Sequence, residues 1–189
     1  MKKVRLHDKE FQVSIEAAAI DREIERVAGE INRDLQGERP LFLSILNGAF
    51  MFTSDLLKCI TLEGTEVSFV KIASYAGTSS TGRVKELIGL NEDITGRTLV
   101  IVEDMVDSGK SMVHLKEMLL KKSPKQIKIV AMFYKPKALV HELTVDYHCF
   151  ALENDFVVGR GLDYDGLGRN LPDLYTLCKD CLLYTSDAA

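Results

Sequence analysis

The sequence is poor in the features that would indicate a secreted, membrane or nucleic-acid-binding protein. Only four of its 189 residues are cysteine, and they are too scattered for a disulfide framework. No apolar run approaches a membrane span, and residues 1–3 are not followed by the apolar core of a signal peptide. The net charge of −4 argues against a surface that binds nucleic-acid backbones. We therefore expect a cytoplasmic protein with no nucleic-acid or membrane partner.

Internal repeats, low-complexity tracts and interdomain linkers are also missing, which predicts a single domain over residues 1–180. A chain of this length can bury about 70% of its unfolded surface. The last nine residues, 181–189, are interpreted as a non-native tail and are set aside from the fold prediction. Cys59 and Cys149 fall in apolar patterns and are predicted to be reduced core thiols. Cys178 and Cys181 lack the second pair that a zinc site needs, so we interpret them as incidental.

The most informative stretch runs from residue 99 to residue 112. Residues 99–102 are aliphatic without alternation, which predicts a strand buried on both faces of a parallel sheet. Glu103 and Asp104 follow at the carboxyl end of this strand, and Asp107 comes three residues later. Open α/β sheets bind their ligands outside the carboxyl ends of the strands, so this is a candidate ligand site.

Small residues at 108–111 open the amphipathic helix that follows, and they leave its first backbone amides available to an anion. The neighbouring acids would repel a bare phosphate, but they suit a ligand that carries hydroxyls or a hard cation. A sugar phosphate with vicinal hydroxyls and bound Mg²⁺ supplies the anion for the amides, the hydroxyls for the acids and the hard cation. A Walker A loop is excluded, because that motif requires glycine where Asp104 stands.

The rest of the chain alternates strand and helix patterns, which predicts a Rossmann-like α/β fold with helices flanking a parallel sheet. A long first helix is predicted after Ser14 as N-cap, ending at Gly37, with one apolar stripe. The stripe consists of Ile20, Ile24, Val27, Ile31 and Leu35. A second helix is predicted over residues 50–60. Further strand patterns cover residues 41–46, 67–72, 84–90, 127–133, 145–152, 156–161 and 173–178.

The run Val-Glu-Asp-Met-Val-Asp-Ser-Gly at 102–109 resembles the phosphoribosyl-pyrophosphate (PRPP) signature of the type I phosphoribosyltransferases, and the hypoxanthine-guanine branch in particular. The resemblance extends over residues 5–178 and is strongest at 99–112 and 156–164. It implies that a small hood formed from the chain ends covers the α/β core. It also implies a purine salvage enzyme that transfers the 5-phosphoribosyl group from PRPP to hypoxanthine or guanine. The products would be IMP or GMP together with pyrophosphate. The cofactor would be Mg²⁺, and the protein would assemble as a homodimer or homotetramer.

The resemblance also assigns residues to PRPP. Glu103 and Asp104 would bind the ribose hydroxyls, residues 108–111 would hold the 5′-phosphate, and Asp107 would be the general base at N7 of the purine. The loop at 46–48, with a cis peptide at its first bond, would lie beside the pyrophosphate. The implied metal ligands are Glu103, Asp104 and Asp163. The implied PRPP-binding set is Leu46, Asn47, Gly48, Glu103, Asp104, Asp107, Ser108, Gly109, Lys110, Ser111 and Arg169.

For the purine, the resemblance implies that Lys135 meets the exocyclic oxygen, that Phe156 stacks on the ring and that Val157 offers backbone groups to its edge. Asp163 belongs to the same purine-binding segment as Phe156 and Val157. A permanent donor at Lys135 favours a 6-oxo over a 6-amino purine, because the mismatch leaves two donors facing each other. The implied lid begins at Ser74 and Tyr75.

The chain departs from the family pattern at two positions, since Asn47 stands where many relatives have lysine, and Arg160 where they often have an aromatic residue. Two alternatives remain open at this stage. One is a PRPP or nucleotide sensor that controls transcription, and the other is a transferase that prefers xanthine or a pyrimidine. The sensor is disfavoured because the chain keeps Lys135 and Phe156 and is acidic. The purine segment argues against pyrimidines but does not distinguish hypoxanthine, guanine and xanthine.

Overall fold

A computed structural model describes residues 2–74 and 84–178 as an α/β fold with two sheets. Tyr75, Cys181 and the tail at 181–189 lie outside the described residues, and so does the remainder of the predicted lid up to residue 83. The strands are β1 Lys3–Leu6, β2 Lys9–Ile15, β3 Leu41–Ile45, β4 Glu66–Ser74, β5 Val84–Ile88, β6 Thr98–Val106, β7 Gln126–Tyr134, β8 Tyr147–Ala151, β9 Val157–Val158 and β10 Leu174–Leu177. The helices are α1 Ala17–Asp34, α2 Phe50–Cys59 and α3 Lys110–Leu120, with a short 3₁₀ helix at Pro136–Ala138.

Within the described residues, the central sheet has the strand order β5-β4-β3-β6-β7-β8. All neighbouring pairs are parallel except β4 with the edge strand β5. Val100 and Val102 of β6 pack with α1 and α2 on one face, whereas Leu99 and Ile101 pack with α3 on the other. The prediction of a doubly buried strand in a parallel sheet is therefore confirmed. The carboxyl ends of the parallel strands meet at one edge.

The central strand is longer than its apolar run predicted. Pairing with β7 continues through Glu103, Met105 and Val106, so β6 ends at Val106 rather than at residue 102. Glu103 and Asp104 consequently lie inside the last part of the strand and not after it. The expectation that they follow the strand is wrong, because hydrogen bonding to β7 extends beyond the apolar side chains.

The second sheet is an antiparallel hood with the strand order β1-β2-β10-β9. Its strands come from the two ends of the described chain, as the resemblance implied. Phe11, Val158 and Tyr175 fill its small core and are almost completely buried.

Helix α1 has the predicted buried stripe, since all five stripe residues are at most 2% exposed. Its predicted N-cap is wrong, because Ser14 belongs to β2 and donates a hydrogen bond to the carbonyl oxygen of Leu174. The N-cap position is Glu16, whose own side chain makes no capping bond. The carboxylate of Asp173 accepts from the amide of Ala17 at 2.8 Å instead.

Cys149 is buried in β8, and burial raises the pKa of its thiol to about 12, in keeping with the predicted reduced core thiol. Cys59 is partly buried at the border of the same core. Across the part of the chain that the structure describes, no helix is long and apolar enough to cross a membrane.

Candidate active site

A cavity of about 180 Å³ lies at the carboxyl edge of the central sheet, where β6 passes into α3. Glu103 and residues 105–112 line it. Gly109 is the N-cap of α3, with φ of 75°, and offers no side chain to the first amides of the helix. The first residues of the helix line the cavity, where backbone amides at a helix start are suited to binding an anion.

Glu103 and Asp104 form the acidic wall of this edge. The amide of Asp104 donates to Oε1 of Glu103 at 3.2 Å, and Oδ1 of Asp104 accepts from the amide of Met105 at 2.8 Å. Burial of the carboxyl group, together with the neighbouring charge of Asp104, raises the pKa of Glu103 well above its ordinary value. A hydroxyl donor or a cation bound here would stabilise the charged form of the Glu103 carboxyl group.

The loop at 46–48 lies directly against the acidic wall. The peptide bond between Leu46 and Asn47 is cis, as the resemblance implied. Gly48 approaches Asp104 so closely that a Cβ atom at position 48 would overlap Oδ2 of Asp104. The structure thus brings the predicted pyrophosphate loop and one predicted ribose ligand together.

Lys135 follows β7 and contacts the predicted general base. Its Nζ lies 3.4 Å from Oδ2 of Asp107. The lysine side chain is only 7% exposed, whereas that of Asp107 is 52% exposed, so a ligand can reach the carboxylate from solvent. The amide of Lys135 donates to the carbonyl oxygen of Val106 at 2.9 Å, which holds the end of β7 beside the start of the cavity loop.

Asp163 and Arg169 form an ion pair on the opposite side of the 46–48 loop. Nη2 of Arg169 lies 2.6 Å from Oδ1 of Asp163, and Nη1 donates to the carbonyl oxygen of Gly161 at 2.6 Å. A Cβ atom at Gly161 would overlap the carbonyl oxygen of Gly48. A continuous set of contacts therefore runs from Asp104 through Gly48 and Gly161 to Arg169.

Two of the predicted purine-binding residues, Phe156 and Val157, lie on the hood, whereas Lys135 lies at the end of β7. Phe156 is 46% exposed, and its ring packs edge-on against Tyr164 at 5.8 Å and tilted against Phe11 at 6.1 Å. Val157 is buried in β9. Nζ of Lys9 lies over the Tyr164 ring, 4.5 Å from its centroid.

Only some of the predicted site residues are in direct contact with one another. Glu103 and residues 107–111 share one cavity, and Lys135 joins it through Asp107. Phe156 and Val157 belong to the hood, and Ser74 lies at the end of β4. The sequence analysis missed Gly161 as the residue that meets the 46–48 loop, although the glycines at 159 and 161 were a signal for close backbone approach.

The acidic residues also fit a hard divalent cation in their chemistry, because all the predicted donors are carboxylate oxygens. Among residues 2–74 and 84–178, however, no three His, Cys, Asp or Glu side chains are grouped closely enough to hold a metal ion. Glu103, Asp104 and Asp163 would therefore need further oxygens from a substrate or from water to complete a coordination shell.

A largely parallel α/β sheet, whose central strand carries two acids near its carboxyl end and is followed by a helix that starts at a glycine, is suited to binding a phosphate ester. The chain belongs to the phosphoribosyl transferase domain family, which it matches over residues 14–165. Within that family it groups with the hypoxanthine-guanine phosphoribosyltransferases.

It is 37% identical over 154 residues to the hypoxanthine-guanine phosphoribosyltransferase of Streptococcus pyogenes serotype M3, a match that covers 81% of this chain and 85% of that protein. Among solved structures, a hypoxanthine phosphoribosyltransferase from Staphylococcus aureus is 30% identical with a TM-score of 0.81, covering 89% of this chain and 92% of that one. The Trypanosoma cruzi hypoxanthine phosphoribosyltransferase in complex with the product IMP has the same TM-score at 28% identity, covering 94% and 98% of the two chains.

Proposed function

We propose that the protein transfers the 5-phosphoribosyl group of PRPP to hypoxanthine or guanine, releasing pyrophosphate and giving IMP or GMP. The observation that carries this proposal is the cavity that joins Glu103 to residues 107–111, with Lys135 in contact with Asp107. The proposal is supported by the family membership and by the names of the relatives.

In this proposal, PRPP binds along the edge of the central sheet. The amides and hydroxyls of residues 108–111 hold the 5′-phosphate at the start of α3, with Lys110 beside them. Glu103 and Asp104 accept hydrogen bonds from the ribose hydroxyls. Their negative charge also stabilises the positive charge that develops at the anomeric carbon as pyrophosphate leaves.

The leaving pyrophosphate would lie against the 46–48 loop. Backbone amides of Asn47 and Gly48 and the guanidinium of Arg169 are the candidate donors. Glu103, Asp104 and Asp163 would hold Mg²⁺ together with oxygens of the substrate and water. When bound, the ion neutralises charge on the leaving group.

The contact between Lys135 and Asp107 supports the choice of a 6-oxopurine. In the free 6-oxopurine tautomer whose N9 attacks the anomeric carbon, O6 is an acceptor and the neighbouring N7 carries a proton, whereas adenine presents an amino donor beside N7. Lys135 would donate to O6 while Asp107 takes the N7 proton, so two adjacent protein groups match two adjacent atoms of the base. Phe156 would stack on the ring, and Val157 would offer backbone groups.

The test is an initial-rate assay with PRPP, Mg²⁺ and each of hypoxanthine, guanine, xanthine and adenine. We expect rapid transfer to hypoxanthine or guanine and at least about a hundredfold lower kcat/KM for adenine. Adenine turnover equal to that of hypoxanthine would refute the role of Lys135. No nucleotide formation from any purine would refute the proposed activity. We also propose that the protein is cytoplasmic and forms a homodimer or homotetramer. Analytical sedimentation would measure the number of subunits.

A further inference from the structure

Arg160 occupies an unusual backbone position at the entrance to the segment that carries Asp163. Three successive residues, Gly159, Arg160 and Gly161, have positive φ values of 105°, 50° and 103°. Positive φ is unfavourable for a residue with a side chain, so surrounding contacts must hold Arg160 in place. One of them is a hydrogen bond of 2.9 Å from its amide to the carbonyl oxygen of Leu171.

The Arg160 side chain is inserted between the first two helices. It is only 9% exposed, and its guanidinium forms ion pairs with Asp21 of α1 and with Asp55 of α2, the second at 3.2 Å. Within the described residues, its buried Nε has no hydrogen-bond partner. A buried guanidinium is unfavourable unless it is paired, so the two carboxylates determine where this side chain lies.

These ion pairs connect two loops of the proposed PRPP site. Asp55 lies in α2, the helix that begins at Phe50 directly after the 46–48 loop. Gly161, the residue after Arg160, is bonded to Arg169 in two ways: its amide donates to the carbonyl oxygen of Arg169, and its carbonyl oxygen accepts from the Arg169 side chain. Gly161 also lies against the carbonyl oxygen of Gly48. Moving Arg160 would therefore loosen the 46–48 loop relative to Gly161 and Arg169.

We propose that Arg160 is a positioning residue for PRPP, which holds the segment 159–163 against α2 and thereby aligns the two halves of the pyrophosphate site. The inference rests on the proposed function. The purine half is anchored independently, because Val157 and Val158 pair with Thr176 and Tyr175 of β10. Loss of Arg160 therefore weakens the use of PRPP and leaves the use of the purine largely intact.

The test compares Arg160→Gln and Arg160→Lys with the control Lys58→Met. Lys58 contacts the same carboxylate, with Nζ 2.8 Å from Oδ1 of Asp55, but its side chain is 69% exposed and it acts on Arg160 only through repulsion between their charges. We expect Arg160→Gln to raise the KM for PRPP roughly tenfold, because small displacements of binding groups have large kinetic effects. The KM for hypoxanthine should change by less than about twofold. Arg160→Lys should recover part of the loss, and Lys58→Met should match the wild type.

Asp21→Asn removes one of the two partners at a half-exposed position and guards against a variant that fails to fold. It should produce a smaller rise in the KM for PRPP, and only a small fall in the melting temperature, because the amide oxygen of asparagine still accepts from the guanidinium. Equal rises in both KM values, or a fall in kcat alone, would overturn the inference.

Amide hydrogen exchange separates this inference from the proposed function, because it needs no substrate. In Arg160→Gln, the amides of Ala49 and Gly161 should exchange faster, while those of β9 and β10 keep their protection. Unchanged exchange at Ala49 and Gly161 would overturn the positioning role, whatever the reaction catalysed. Faster exchange in a protein that makes no nucleotide would instead refute only the proposed function.

Discussion

At the scale of single residues, Asp107 is the proposed acceptor of the purine proton. Its carboxylate is half exposed beside the buried Lys135 and lines the cavity at the start of α3. Asp107→Asn keeps the shape and the hydrogen-bonding capacity of the side chain but removes the base. We expect kcat to fall at least about tenfold with PRPP binding retained, as isothermal titration with Mg²⁺ can measure. An unchanged kcat would remove Asp107 from this role.

Lys135 is the residue predicted to choose the base. Lys135→Gln should raise the KM for hypoxanthine and reduce discrimination against adenine by roughly tenfold or more, because glutamine can both donate and accept. Lys137→Gln is a matched control in the adjacent 3₁₀ helix, since Lys137 is exposed and pairs with Glu153. Discrimination in Lys135→Gln that equals that of the control would contradict the prediction.

Single residues were predictable from the sequence where they are contiguous. Glu103, Asp104 and residues 107–111 follow one another along the chain, so one strand-turn-helix pattern brings most of them to one cavity. The contact of Gly48 with Asp104 and that of Gly161 with Gly48 join residues far apart in the sequence. Close approach between glycine backbones has no periodic pattern, so only the structure reveals it.

At the scale of elements, the 46–48 loop depends on the absence of a side chain at Gly48. Gly48→Ala would force a methyl group into Oδ2 of Asp104, so either the loop or the carboxylate that is proposed to bind ribose must move. We expect loss of PRPP binding by titration. Gly29→Ala is the control, because Gly29 lies in α1 with open space around it and alanine favours the helix by up to about 1 kcal/mol. Normal PRPP binding by Gly48→Ala would refute the proposed contact between this loop and the substrate.

The start of α1 also depends on a distant element. Sequence reasoning placed the N-cap at Ser14, but a local pattern cannot reveal that Asp173, next to β10, caps the helix through the amide of Ala17. A hydrogen bond from Lys2, followed by that from Ala17, holds the pKa of Asp173 below its ordinary value. The stabilisation is therefore present at neutral pH and is lost as the pH falls through the lowered pKa.

Asp173→Asn retains the acceptor oxygen but removes the charge at the helix N-terminus. We expect the free energy of unfolding, measured with urea at neutral pH, to fall by about 0.5–1 kcal/mol. The difference from the wild type should disappear in strong acid, where Asp173 itself is protonated. Glu153→Gln is the control, because its ion pair with Lys137 is exposed and should contribute little. A deficit that persists unchanged in acid would argue against a charge effect.

At the scale of the whole molecule, a nucleoside monophosphate would contact both the central sheet and the hood. The sequence patterns predicted the parallel sheet and the strands at 156–161 and 173–178. Only the resemblance implied that strands from the chain ends form a hood, because a local pattern does not reveal which distant strands pair. A ligand held by both sheets should stabilise the entire fold. At about one hundred times its Kd, IMP should contribute about 2.7 kcal/mol and raise the Tm by roughly 5–10 °C.

Ribose 5-phosphate is the control for this measurement, since it lacks the base and should raise the Tm less than IMP at the same concentration. Cytidine monophosphate tests the base itself. An equal shift with both monophosphates would contradict selection of a purine.

The strand order of the hood also determines when, during synthesis of the chain, each of its strands can pair with its neighbour. β2 is made more than 150 residues before its neighbour β10. The central sheet can fold on the nascent polypeptide, because its strands β3 to β7 are adjacent in the sheet and precede β8. β9 acquires its neighbour only after Leu174–Leu177 has been translated. A product of premature termination before Leu174 would therefore keep the proposed phosphate site but would lack the ordered hood strand that carries the proposed nucleobase site.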